Sequence, residues 1–196
     1  PPQEQLSRLL EHYLTGRLSD AEKLATSISH EFPRHNFSWK ILGAVLKKTD
    51  RASEAVFAGE KAIEIAPEDA EAYFNLGNTL QELGRFYEAE ARYKQAIALA
   101  PNYEEAHCNL GNALQELGRS EEAEASLRQA IALKPDFAKA HINLGNTLNE
   151  QGRLDQAEVM LRRAIALKPD NEESHYIYGI TLEELGRLDV AEASLR

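Results

Sequence analysis

The chain has 196 residues, with 22 Lys and Arg against 32 Asp and Glu and a formal net charge of −10. Acidity on this scale disfavours non-specific attraction to nucleic acid or an anionic lipid surface, and it favours a neutral or basic polypeptide as partner. No stretch approaches the roughly 18 consecutive apolar residues of a membrane-spanning helix. The single cysteine, Cys108, supports neither an internal disulfide nor a multi-cysteine zinc site, and it fits a reducing compartment such as the cytoplasm.

The first residues, Pro1-Pro2-Gln3-Glu4-Gln5, carry no basic segment followed by an apolar one, so they do not read as a secretory leader. Residues 2–35 read as a degenerate helical unit or N-terminal cap, with Gly16-Arg17 at a turn, Ala21 and Ala25 on one helix face, and Pro33 as a stop. From there a 34-residue period takes over. Gly43, Gly77, Gly111, Gly145 and Gly179 keep that step, as do Pro33, Pro67, Pro101, Pro135 and Pro169, and a second glycine series runs Gly84, Gly118, Gly152, Gly186. The units are 36–69, 70–103, 104–137, 138–171 and a truncated 172–196; the chain is expected to continue past Arg196.

Within 138–171, Leu144, Leu148, Leu154, Ala157, Leu161, Ala164, Ile165 and Leu167 recur every three or four residues with a break at Gly152, which predicts two helices and a turn. Gly152-Arg153 reads as the end of the first helix. Asp155 with Glu158 reads as a capping box opening the second, repeated by Ser19 with Glu22 and by Asp189 with Glu192. Pro169-Asp170 ends the second helix, and Asp170 is positioned to cap the next unit.

This 34-residue helix–turn–helix resembles the tetratricopeptide repeat family. Counting each unit from its first residue, the family's Leu-Gly pair at seven and eight is Leu42-Gly43, Leu76-Gly77, Leu110-Gly111 and Leu144-Gly145, becoming Tyr178-Gly179 in the last. The small residue at twenty is Ala55, Ala89, Ala123, Ala157 and Ala191, and that at twenty-seven is Ala62, Ala96, Ala130 and Ala164. The aromatic fourth position holds Trp39 and Tyr73 but then His107, His141 and His175, a departure. The resemblance implies an all-α fold, a right-handed superhelical solenoid of stacked antiparallel helix pairs running continuously through the chain, and a non-enzymatic module that binds protein in its concave groove.

Catalysis, cofactors and metals find no site in the sequence. Phosphate-loop, nucleophile-elbow, H-E-x-x-H and C-x-x-C strings are absent. His107, His141 and His175 fall at equivalent points of successive repeats, about 10 Å apart at least, whereas metal ligands converge within about 2.1 Å of one ion. Paired carboxylates such as Glu121-Glu122, Glu172-Glu173 and Glu183-Glu184 read as helix-start or solvated residues.

In the family the groove is lined by the second, fifth, sixth, ninth, twelfth and thirteenth positions of each first helix. The sixth and ninth are asparagine in three successive units: Asn75 with Asn78, Asn109 with Asn112, and Asn143 with Asn146. A spacing of three places each pair on one helix face. An amide that both donates and accepts suits the backbone of an extended peptide of varied sequence, or a bond to the neighbouring repeat. The pattern is similar to the repeat arm of O-linked N-acetylglucosamine transferases and to bacterial arrays of the family. The fifth-position row Lys40, Phe74, Cys108, Ile142 and Tyr176 reads as either a binding stripe or repeat-to-repeat core.

Second positions Glu71, Glu105 and Glu173 and thirteenth positions Glu82, Glu116, Glu150 and Glu184 make the groove acidic apart from Lys139 and, near the N-terminal end, Lys40, Lys47 and Lys48. A neutral or basic extended segment therefore fits better than a carboxylate tail. Two further expectations stand beside peptide capture. One is a substrate-recruiting arm of a larger transferase-type enzyme. The other is head-to-tail self-association through apolar surface at Leu182, Leu185, Val190 and Leu195.

Overall fold

The computed structural model describes residues 1–187, and it turns each of the first five sequence periods into a helix of twelve or thirteen residues, a tight turn and a helix of fourteen. Among the described residues there are eleven α-helices and no strand. The chain divides into two compact units, Pro1–Pro101 and Asn102–Arg196. The first contains α1 (Gln3–Leu14), α2 (Leu18–Glu31), α3 (Asn36–Lys48), α4 (Ala52–Ile65), α5 (Ala70–Glu82) and α6 (Phe86–Leu99). The second contains α7 (Glu104–Glu116), α8 (Ser120–Leu133), α9 (Ala138–Glu150), α10 (Leu154–Leu167) and α11 (Glu172–Glu184). Residues 2–35 form a full helix pair. In both units each helix packs on the next in sequence, and the first helices of successive repeats lie side by side: α1, α3 and α5 in one unit, α7, α9 and α11 in the other.

Small residues set how closely the helices of a pair approach. Ala55, Ala89, Ala123 and Ala157 are at most 2% exposed, and so are Ala62, Ala96, Ala130 and Ala164. Against them sits the eighth-position glycine. A Cβ added at Gly111 would lie 2.5 Å from Leu127 Cγ, and one at Gly145 would lie 2.7 Å from Leu161 Cγ, so only glycine fits unless these leucines move. Gly43 differs, because its nearest neighbours would be 3.6 Å away, an ordinary contact.

The turn glycine serves another purpose. Gly152 adopts φ +71°, and the Arg153 N–H returns 2.9 Å to the Leu148 carbonyl, closing the first helix in the manner of a left-handed C-terminal cap. The second repeat has no glycine there, and Asp50 takes φ +57° instead.

The capping boxes expected at Asp155–Glu158 and Ser19–Glu22 do not form. The cap residues are Arg153 and Arg17, which give no side-chain cap bond, so Asp155 and Ser19 fall inside the first helical turn. Three of the arginines that follow the turns reach sideways to the preceding repeat, whereas Arg85 and Arg119 pair with Glu88 and Glu122 of their own helices. Arg51 bonds Glu54 and Glu22, Arg153 bonds Glu124 of the preceding repeat at 2.7 Å, and Arg187 bonds Glu158 at 2.5 Å. Side-chain caps occur at Asp69, which accepts from the Ala72 N–H, and at Asn171, which accepts from the Ser174 N–H; Asp170 is not the cap of α11. The box expected at Asp189–Glu192, with Ala191, lies outside the described residues.

Candidate functional site

The first-helix face is where the site residues expected from the sequence fall. In the first unit, Tyr13, Lys40, Lys47, Lys48, Asn75 and Thr79 help line a cavity of about 170 Å³. Lys40 is not a free cation: its ammonium donates to Asp69 at 3.1 Å and to Glu71, and its side chain is 17% exposed. Burial pulls the Lys40 pKa down, but its bonds to Glu71 and Asp69 outweigh this and leave it above the ordinary lysine value. Asp69 answers in the opposite direction. Burial raises its pKa, while Lys40, the Ala72 N–H and Asn36 bring it below the ordinary carboxylate value. Lys47 pairs with Glu82 at 2.8 Å, and Lys48 stands 4.5 Å over the Tyr13 ring. The basic end of the face is thus largely neutralised from within. Asn75 is exposed, and Asn78 is half-buried with its Oδ1 accepting from Tyr93 Oη at 2.9 Å.

The second unit carries a tighter network. Lys139 of α9 donates to Asn109 Oδ1 of α7 at 3.0 Å. Gln115 donates to Glu150 at 2.7 Å, and Asn146 reaches the same carboxylate at 3.4 Å. Asn109, Asn112 and Asn146 are half-buried, whereas Glu116, Lys139, Glu150, Glu173 and Glu184 are exposed.

Three groove assignments need correction. Asn143 is only 9% exposed, and its amide points at Cys108 Sγ, 3.7 Å away, so it ties α9 to α7. Cys108 is fully buried against Ala140 and Leu144, and Ile142 is 3% exposed. The fifth-position row is therefore core at these two residues, because the next first helix lies directly over it. Burial pushes the Cys108 thiol up to about 11, far from a reactive thiolate. The same row opens elsewhere: Phe74 is half-buried with its ring tilted 49° against Tyr93, and Tyr176 is 62% exposed. The surface expected for self-association is also altered, since Leu182 is 1% exposed and Leu185 half-buried. Val190 and Leu195 lie outside the described residues.

The fourth-position histidines carry a role that hydrophobic periodicity does not reveal. His141 Nε2 donates to the Pro135 carbonyl at 3.0 Å and His175 Nε2 to that of Pro169 at 2.8 Å, matching Trp39 Nε1 to Pro33 at 3.1 Å. A ring N–H at fixed height is the shared property, and the common six-residue offset to the proline was its sequence signal. Among the described residues no group of three or more His, Cys, Asp or Glu could hold a metal ion, and no helix is long and apolar enough to cross a membrane.

Family models for the tetratricopeptide repeat match residues 68–136, 108–171 and 148–196. Among solved structures the chain is similar to PilW, described as a widely conserved type IV pilus biogenesis factor, with a TM-score of 0.89 and 21% identity over 99% of this chain and 91% of that one. It is similar to MamA, with a TM-score of 0.72 and 24% identity over 81% and 87%. It is also similar to YrrB, described as a TPR protein with an unusual peptide-binding site, with a TM-score of 0.70 and 20% identity over 87% and 88%. No curated protein sequence matches significantly. Stacked helix pairs with polar first-helix faces define a protein–protein interaction module. The chain belongs to the tetratricopeptide repeat family.

Proposed function

We propose that the first-helix faces hold an extended segment of a partner polypeptide, neutral or basic in sequence. The observation that carries this reading is the recurrence of amides among carboxylates on those faces: exposed Asn75 beside Glu71 in the first unit, and Asn109, Asn112 and Asn146 beside Glu116 and Glu150 in the second. An amide can donate to a peptide C=O and accept from its N–H, so it grips backbone whatever the side chains. Lys139 releases Asn109 Oδ1 by swinging into solvent, where it is already exposed. Tyr176, open on α11, offers a ring to a partner side chain. YrrB, of the same fold and described as having a peptide-binding site, supports this class of ligand.

The test is fluorescence anisotropy with labelled pools of unstructured peptides, one basic, one neutral and one acidic. Basic and neutral pools should bind in preference to the acidic pool. The triple variant Asn75→Ala, Asn109→Ala, Asn146→Ala should bind about tenfold more weakly or worse, the sum of a few net hydrogen bonds. Wild-type affinity in that variant overturns the proposal.

A further inference from the structure

The cavity of about 170 Å³ in the first unit reaches from the first-helix face to α4, where Gly43, Ala55, Gly59, Ala62, Ala72 and Leu76 line it. One position of the repeat accounts for it. The twenty-fourth residue is Tyr93, Leu127 and Leu161 in units 70–103, 104–137 and 138–171, and all three are fully buried. Each lies directly over the eighth-position glycine of its own unit: an added Cβ would stand 2.7 Å from Tyr93 at Gly77, 2.5 Å from Leu127 at Gly111 and 2.7 Å from Leu161 at Gly145. Residues 2–35 exchange the sizes, with Leu9 at eight and Ala25 at twenty-four, both fully buried. Unit 36–69 is small at both, with Gly43 and Gly59. No side chain covers Gly43, whose added Cβ would find its nearest neighbours, Ala55 O and Ala58 Cβ, 3.6 Å away. Gly43 and Gly59 are accordingly half-buried, whereas Gly77, Gly111 and Gly145 are buried.

The missing group defines what fits. Tyr93 Oη donates to Asn78 Oδ1 at 2.9 Å, but the counterpart of Asn78 is Ala44, so the bond that holds a tyrosine in the next unit has no equivalent here. The polar groups at the rim are already engaged. Lys40 is held by Asp69 and Glu71, Lys47 pairs with Glu82 at 2.8 Å, the Lys48 ammonium stands over the Tyr13 ring, and the Thr79 hydroxyl donates to the Asn75 carbonyl at 3.0 Å. A charged occupant would have to break one of these pairs, whereas an apolar one breaks none. Size agrees with this: a dry apolar cavity of about 150 Å³ accepts a molecule of benzene, so the space admits the side chain of a leucine or a phenylalanine.

We infer that this cavity takes a leucine or phenylalanine side chain of the bound polypeptide, seated over Gly43 and Gly59 in the place that Tyr93, Leu127 and Leu161 fill from within in the later units. The site rests on peptide capture by the first-helix faces and adds what they select: an apolar anchor at the level of Lys40 and Asn75, with neutral or basic residues on either side. The probes are short labelled peptides of Gly, Ser and Lys, identical except for one central Leu, Phe, Ala or Glu, titrated against the full chain by fluorescence anisotropy.

The leucine and phenylalanine peptides should bind about tenfold more tightly than the alanine peptide, or better, and the glutamate peptide most weakly. Gly43→Leu fills the cavity from α3, where an added Cβ has 3.6 Å of room; at Gly59 it would meet Leu76 Cδ1 at 3.0 Å. This variant should abolish the preference while leaving the alanine peptide's affinity and the helical circular dichroism intact. Ala44→Leu, at a half-buried position on the same lining, should abolish it as well. The triple asparagine variant should weaken all four peptides alike and keep the preference. Equal binding of the leucine and alanine peptides by the wild type, or an undiminished preference in whichever of Gly43→Leu and Ala44→Leu folds, overturns the anchor site and leaves peptide capture standing. Binding of none of the peptides overturns both.

Discussion

At the fourth position of the repeat, Trp39, His141 and His175 each give a ring N–H to the proline carbonyl six residues before. His141 is 5% exposed; its Nε2 must be the protonated nitrogen because it faces the Pro135 carbonyl, and its Nδ1 is buried without a partner. Protonation would add a buried donor with nothing to receive it. Burial therefore lowers the His141 pKa, against the opposing bond to Pro135. When the folded pKa of a base lies below the unfolded value, the unfolded chain binds the proton first as pH falls. Stability is then full above about 6.5 and declines below it. Denaturant titrations at about pH 7.5 and 5.5 should show a larger loss in wild type than in His141→Tyr, which supplies the phenol found at Tyr73 and does not titrate in that range. The eighth-position glycines give a second expectation at this scale. Gly111→Ala should cost about 1–3 kcal/mol, because Leu127 must be displaced. Gly43→Ala, with open space, should be neutral or stabilising by up to about 1 kcal/mol through reduced chain entropy.

In each helix pair the turn is set by backbone conformation more than by side-chain caps. Glycine followed by arginine was legible as a helix end, since only glycine takes φ near +70° without strain. The capping boxes expected at Ser19–Glu22 and Asp155–Glu158 do not form, because side-chain type alone does not fix where a helix begins. Both expected boxes lie one residue or more inside their helices, and the arginine at the cap bonds outward to carboxylates instead. Glu124 depends on this: burial raises its pKa, but Arg153 and Arg128 bring it below the ordinary carboxylate value. Asp50, the residue with φ +57°, offers the cleanest test. Asp50→Gly should raise stability by about 0.5–1 kcal/mol, measured as a higher midpoint at unchanged denaturant slope. A fall in midpoint would show that Asp50 contributes contacts beyond its backbone angle.

Across the whole molecule, charge is the dominant long-range property. On the proposed reading, a net charge of −10 with exposed carboxylates on the first-helix faces steers cationic segments, and that attraction weakens within a Debye length of about 8–10 Å at moderate salt. Raising the ionic strength from about 0.05 to 0.5 M should therefore weaken basic-peptide binding several-fold through slower association, while neutral-peptide binding changes little. Stopped-flow association rates distinguish the two; equal salt slopes for both pools would mean that the carboxylates only solvate the helices.

The helix pairs, their turns and the repeat family are legible in the sequence, because a 34-residue recurrence of glycine, alanine and proline reports local conformation and closest approach directly. It also named the face on which Asn75, Asn109, Asn146 and Tyr176 lie. Which residues of that face remain available depends on packing between repeats. Asn143, Cys108 and Ile142 share the periodicity of their exposed equivalents, yet the neighbouring first helix covers them, and burial between repeats is a property of two segments rather than one. The same holds for Lys40, whose charge is taken by carboxylates more than twenty-five residues away.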